Sequence, residues 1–171
     1  QDVAVFDEVL EAEDAPTELK VKKVDALDSD KPVAGAVFRL WNDEGTYDEE
    51  LVTGEDGAIS VPYLEHGSYH LQETSAPEGY VVSDVDDEGN AAVHDLLVND
   101  QGMFELPDGT MSAVFELEIA NMPKTMGTTA TDAESGAHEG QARENLTIID
   151  TVEYTGCIPV TEYTLEGVLM D

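Results

Sequence analysis

Three short stretches constrain this chain more than any others: LKVKKVD at 19–25, YHLQE at 69–73 and VFELEIAN at 114–121. Each alternates apolar and polar residues with a period of two, the pattern of a strand that lays one face on a core. In each, the apolar row ends on a polar group. Leu19 and Val21 are continued by Lys23, Tyr69 and Leu71 by Glu73, and Phe115, Leu117 and Ile119 by Asn121. Lys20, Lys22, His70, Gln72, Glu116 and Glu118 fall on the opposite faces, because successive strand side chains point to opposite sides. Any one of the three polar residues alone reads as a strand end that reaches solvent. An amine, an acid and an amide that all end inward rows predict something else. A buried charge without a partner is very costly, so these groups are expected to meet and to pair or neutralise.

No stretch sustains a helical period. Short alternating segments are separated by the turn signals DSDKP, NDEG, GEDG, EHG, PEG and LPDG. Strands at this spacing predict an all-β chain, built as a sandwich or a barrel. Residues 1–17 read as a short strand and an acidic linker, and 18–124 as one complete domain. Residues 125–171 read as an incomplete second β-sandwich. Its expected strands are Gly127–Thr131, LTIIDTVEY and TEYTLEGVLM, too few to close a sandwich. The abrupt end at EGVLMD suggests a piece of a larger protein.

The chain carries 39 acidic against 7 basic residues, a net charge of −32, yet 41% of it is apolar, enough for a real core. So negative a surface repels phosphate backbones and anionic lipid, which argues against nucleic-acid or membrane-surface partners. The single cysteine, Cys157, excludes a disulfide framework within the chain and reads as a small semi-buried residue in a turn. No apolar run is long enough to cross a bilayer, so no membrane insertion is expected of this fragment. His66, His70, His94 and His138 are scattered without metal-ligand spacing and read as surface residues. DVDDEGNAAVHD places Asp84, Asp86, Glu88, Gly89 and Asp95 at calcium-loop spacing. With no flanking helix signal, and Asp where Glu is preferred, it reads as a solvated turn. No metal and no cofactor is expected.

The convergent trio carries a specific chemistry. Burial disfavours the charged amine, and a neutral Lys23 is a nucleophile. A protonated Glu73 can hydrogen-bond the Asn121 carbonyl, polarise it and shuttle protons. Attack on the amide carbon expels ammonia and leaves a Lys23–Asn121 isopeptide bond, driven by the fold holding the partners together. The reaction consumes its own residues, so the chain is not expected to be an enzyme with turnover.

LKVKKVDALDSDKPVAGAVFRL, GEDGAISVPYLEHGSYHLQETSAPEGY and FELEIANMPK together resemble the B-type repeat of Gram-positive collagen-binding adhesins and pilins, the CnaB family. The resemblance covers about residues 18–124. It implies an immunoglobulin-like (prealbumin-like) sandwich, with Lys23, two residues before the motif's Asp25, and Asn121 as the crosslink, and Glu73, which opens ETSAPEGY, as its catalytic acid. The long acidic stretch SDVDDEGNAAVHDLLVNDQG departs from the pattern and leaves the strand count there open. The segment from GTTATDAESG onward resembles the start of adhesin repeats that carry a Thr–Gln ester bond. That likeness implies Thr128 as the ester threonine and Asp150 as its helper, with the His and Gln lying beyond Asp171. Thr128 reads equally well as an ordinary β-favouring residue.

These likenesses imply a stalk or spacer module of an extracellular, cell-wall-anchored adhesin or pilus-like protein, with the anchor outside this fragment. Its partners would be neighbouring domains of the same surface protein. The alternative is a ligand-binding module that recognises a host extracellular-matrix protein or glycan.

Overall fold

The computed structural model describes residues 17–138, 145–157, 162–164 and 166, which form strands and turns with no helix among them. Strands are numbered in chain order. In the first sheet β1 (Glu18–Asp25) is central, with β11 (Val114–Pro123) parallel on one side. β2 (Asp28–Pro32) and β5 (Ala58–Pro62) pair antiparallel with the other side of β1, and β7 (Tyr80–Val82) pairs with the end of β11. The second sheet is antiparallel: β10 (Met111–Ser112), β9 (Phe104–Glu105), β8 (Val93–Val98), β6 (Gly67–Ser75), β3 (Val37–Asn42) and β4 (Asp48–Val52), in that order.

The period-two rows set the packing. Leu19, Val21, Ile59 and Ile119 of the first sheet share one buried cluster with Phe38, Leu40, Leu71, Leu96, Val98 and Phe104 of the second. Lys20, Lys22, Glu116 and Glu118 point outward, where Lys22 and Glu118 pair at 2.9 Å. The fold is an all-β sandwich, one of the two architectures that the alternation allowed.

Some local expectations are corrected. DSDKP is a strand, β2, fully exposed at the sheet edge and joined to β1 by a tight turn at Ala26–Leu27. Its turn-forming composition is that of a blunted edge strand: charged, short and closed by proline. The acidic stretch resolves into a turn followed by β8. In that turn Asp86 Oδ1 accepts the backbone N–H groups of Glu88 and Asn90, both at 2.9 Å. Cys157 is exposed, not semi-buried, because it follows Gly156 past the end of the strand that closes at Thr155.

After β11 a single residue, Lys124, leads into β12 (Thr125–Asp132), which pairs antiparallel with β13 (Ile148–Thr155). The joint is tied on both sides. Lys124 N–H donates to Gly79 O at 2.7 Å, and Thr155 Oγ1 donates to Pro123 O at 2.6 Å. Gly156 packs so closely that a Cβ there would lie 2.7 Å from Pro123 O. The strand expected at TEYTLEGVLM falls largely outside the described residues, and residues 162–164 and 166 form no strand. The strand and linker expected at residues 1–16 also lie outside them.

Gly57 is the turn position on which β1 depends most. Its carbonyl accepts the N–H of Lys23 at 2.7 Å, its φ is +71°, and a Cβ would sit 2.5 Å from Lys23 O. Gly45, with φ +68°, has nothing within 4 Å of a Cβ. Gly57→Ala is therefore expected to lose more stability in urea unfolding than Gly45→Ala. The latter carries only the left-handed backbone cost of about 1–2 kcal/mol. Equal losses would show that the contact with Lys23 relaxes freely.

Candidate functional site

The parallel register of β1 with β11 decides the site. Lys23 lies opposite Ile119 and Asp25 opposite Asn121, so Lys23 and Asn121 are diagonal neighbours on one inward face. Glu73 comes from β6 of the other sheet, opposite Phe38. The three polar ends of the apolar rows meet between the sheets. Lys23 and Asn121 are 0% exposed and Glu73 is 2% exposed.

Lys23 Nζ lies 2.6 Å from Glu73 Oε2, and Asn121 Nδ2 donates to Glu73 Oε1 at 2.6 Å. One carboxyl group thus touches the amine with one oxygen and the amide with the other. Lys23 Nζ also stands 5.6 Å from the centre of the Phe38 ring. Burial pulls the Lys23 amine below its ordinary pKa, against the opposing influence first of Glu73 and then of Asp84.

The amide stands differently from the expectation. Its nitrogen, not its carbonyl, faces Glu73, and Asn121 Oδ1 is buried with no hydrogen-bond partner. A carboxyl oxygen that accepts a hydrogen bond draws the donor end of the amide. A buried acceptor left unpaired costs about 1–3 kcal/mol. The nitrogen facing Glu73 is the one that a condensation with Lys23 would expel.

Other groups near the site make contacts that the period-two rows do not reveal. Asp25, 3% exposed, accepts from Leu27 N–H at 2.8 Å, and from Lys31 Nζ and Tyr80 OH at 2.9 Å each. The Leu27 N–H, then Lys31, hold its carboxyl below the usual carboxylate range. His94 Nε2 meets Asp84 Oδ2 at 2.6 Å, which places two residues of the calcium-like stretch on each other. No cluster with metal-ligand geometry occurs among the described residues.

His70 is less solitary than its sequence setting implied. Its Nδ1 lies 2.7 Å from Asp95 and its Nε2 2.8 Å from Asp43. The ring leans on Trp41 at 5.2 Å, and the Arg39 guanidinium covers Trp41 at 4.7 Å.

Thr128 and Asp150 lie on β12 and β13. Thr128 is opposite Val152 and Asp150 opposite Ala130, so they share a face as diagonal neighbours, both exposed. Met126, Ile148 and Tyr154 occupy the same face, also exposed.

With this geometry in hand, comparison is informative. Residues 17–95 match the family model of the SpaA prealbumin-like fold domain, and residues 124–171 that of the T-Q ester bond containing domain. Residues 17–95 and residues 124–171 are thus similar to these two families, each over less than half of the chain. Among solved structures, BcpA, the major pilin subunit of Bacillus cereus, is 29% identical with a TM-score of 0.46, over 68% of this chain and 32% of that one. The Bacillus anthracis TIE protein is 18% identical with a TM-score of 0.50, over 82% and 27%, a likeness of fold alone. The group B streptococcus pilus 2b backbone protein is 26% identical with a TM-score of 0.43, over 63% and 41%. The chain thus spans less than half the length of each of these structures. No curated protein matches it.

Two outcomes follow for the prealbumin-like domain. Glu73→Leu leaves the Lys23 amine buried without its acid, so it should be less stable by about 3–5 kcal/mol than Lys23→Met/Glu73→Leu, in which neither charge remains. Urea unfolding of the two variants, neither of which retains the full trio, decides it. The two carboxylates raise the pKa of His70 above its ordinary 6.5, Asp43 contributing most. A raised folded-state pKa gives stability that is complete below about pH 6.5 and is lost as pH rises through the raised value. His70→Gln should therefore lower the unfolding free energy at pH 5.5, by no more than about 1 kcal/mol, and leave it unchanged at alkaline pH.

Proposed function

We propose that this chain is a load-bearing spacer module of a Gram-positive surface adhesin or pilus-like protein. In this proposal residues 18–124 are locked by an isopeptide bond between Lys23 and Asn121, formed once by the domain itself. The observation that carries it is the double contact of Glu73, with Nζ of Lys23 on one oxygen and Nδ2 of Asn121 on the other, each at 2.6 Å.

The arrangement suits a proton relay. As Lys23 Nζ attacks Asn121 Cγ it must shed a proton, and Glu73 Oε2 is placed to take it. The departing Nδ2 must gain one, and Glu73 Oε1 is placed to give it. The Nζ–Cγ bond forms, the Cγ–Nδ2 bond breaks, and ammonia leaves with no other reactant required. Burial supports the step by favouring the neutral, nucleophilic amine, and the paired strands hold the partners in place. Glu73 is the catalytic residue, and it is regenerated.

The spacer role follows from where the bond would sit. β1 and β11 are the first and last strands of residues 18–124 and lie side by side. A covalent tie between them would carry tension past everything between residues 23 and 121. The net charge of −32 keeps such a module soluble outside the cell. Neighbouring domains of the same surface protein are its natural partners. In residues 125–171, Thr128 would be the ester threonine and Asp150 its helper. Their shared face on β12 and β13 is compatible with that role.

Intact mass of the purified chain tests the proposal. The expected result is a deficit of one ammonia relative to the sequence, abolished by Lys23→Ala and by Glu73→Ala. Tandem mass spectrometry should place the branch between the peptides that contain residues 23 and 121. A full-length mass for the folded wild-type chain would overturn the crosslink.

A further inference from the structure

The trio lies where β1 and β11 run out, and the sandwich must be closed there against water. The group that spans this end is Asp25. It stands two residues beyond Lys23 and opposite Asn121, so by register it shares their inward face. Its Oδ2 accepts the hydroxyl of Tyr80 and the ammonium of Lys31, both at 2.9 Å, while its Oδ1 is fixed by Leu27 N–H. Lys31 also stands 5.5 Å from the centre of the Tyr80 ring, closing a three-sided contact.

Tyr80 is the first residue of β7, and β7 neighbours β11, not β1. Its hydroxyl therefore reaches over β11, next to the row that holds Asn121, to find its partner on β1. Only three residue pairs attach β7 to β11, and Val82 opposite Asn121 is one of them. Upstream, the same segment of chain leads back through residues 74–79 to Glu73 at the end of β6. The Tyr80–Asp25 bond thus ties the segment that follows the acid to the strand that bears the amine.

We infer that Asp25 and Tyr80 are positioning residues for the condensation: a clamp that draws β7 across the end of the sandwich, sets Asn121 against Glu73 and Lys23, and keeps water from the trio. Neither touches the reacting atoms through any described contact. Lys31, whose side chain is 55% exposed, is the outer tie of the clamp. The inference rests on the proposed Lys23–Asn121 condensation, whose bond changes are those given above.

The test is a time course on the full chain, made in a cell-free translation pulse and quenched in acid at intervals for intact mass. Tyr80→Phe keeps the shape of the clamp and removes its hydroxyl bond, and Asp25→Asn keeps the shape and removes the charge that binds Lys31 and strengthens that bond. Val98→Ala is the comparison: it opens a cavity in the same core, opposite Gly67 at the far end of β6. Both clamp variants are expected to lose ammonia about tenfold more slowly than wild type, the worth of one well-buried hydrogen bond. They should still approach the same end point. Their rate–pH profiles should also move to higher pH, because water that enters the site weakens the desolvation that keeps Lys23 neutral. Val98→Ala should keep the wild-type rate and profile despite its lower stability. A wild-type rate and profile in Tyr80→Phe, or equal slowing in Val98→Ala, would overturn the clamp alone. A wild-type chain that never loses ammonia would overturn the condensation, and the clamp with it.

Discussion

The contact of Lys23 with Glu73, deep between two sheets, is the constraint around which the rest of the sandwich is arranged. An amine and an acid in such a place cost folding energy unless each satisfies the other, and both are fully desolvated here. The pairing fixes more than electrostatics. It demands that β6 of one sheet and β1 of the other meet at one depth, and that the strand beside β1 supply a third polar group at that depth. A parallel neighbour in the observed register supplies Asn121. Slipping β11 by one residue would turn Asn121 toward solvent and put an alanine or a methionine beside the pair.

The outer faces obey a looser logic. Lys22 with Glu118, and Arg39 with Asp48, are exposed ion pairs that align neighbouring strands without contributing much stability. His70 between Asp43 and Asp95 links β6 to β8 and to the end of β3. In a chain with so few positive charges, most of the described cations sit against a carboxylate. The negative excess is left to the turns and edges, where repulsion keeps the sheet margins apart from other chains.

The inward direction of Lys23, Glu73 and Asn121 was legible in the sequence because the pleat alone sets it, and no bulge interrupts the rows between their apolar members. The all-β architecture was legible for the same reason. What escaped detection depends on contacts between elements distant in sequence. Asp25 extends the row of Lys23, but Lys31 and Tyr80 carry no periodic signal, and the meeting of the three follows from β7 reaching over β11. The orientation of the Asn121 amide depends on which end the acid selects. DSDKP misleads because the residues that make a turn also make a blunt edge strand. Cys157 could be placed only once Gly156 was seen against Pro123. Thr128 and Asp150 came from a likeness, and alternation has no bearing on how their strands pair or on what covers the face they share.

The single-residue joint at Lys124 has its own consequence. A flexible linker between two β units would let the second swing through a wide cone and shorten the average reach of any array built from them. Here the N–H of Lys124 is held by Gly79, the carbonyl of Pro123 by Thr155, and Gly156 leaves no room for a side chain against that carbonyl. Rotation about this joint breaks hydrogen bonds on both sides at once. The heading of β12 and β13 is therefore inherited from β11, as in a jointed rod and not as in beads on a thread.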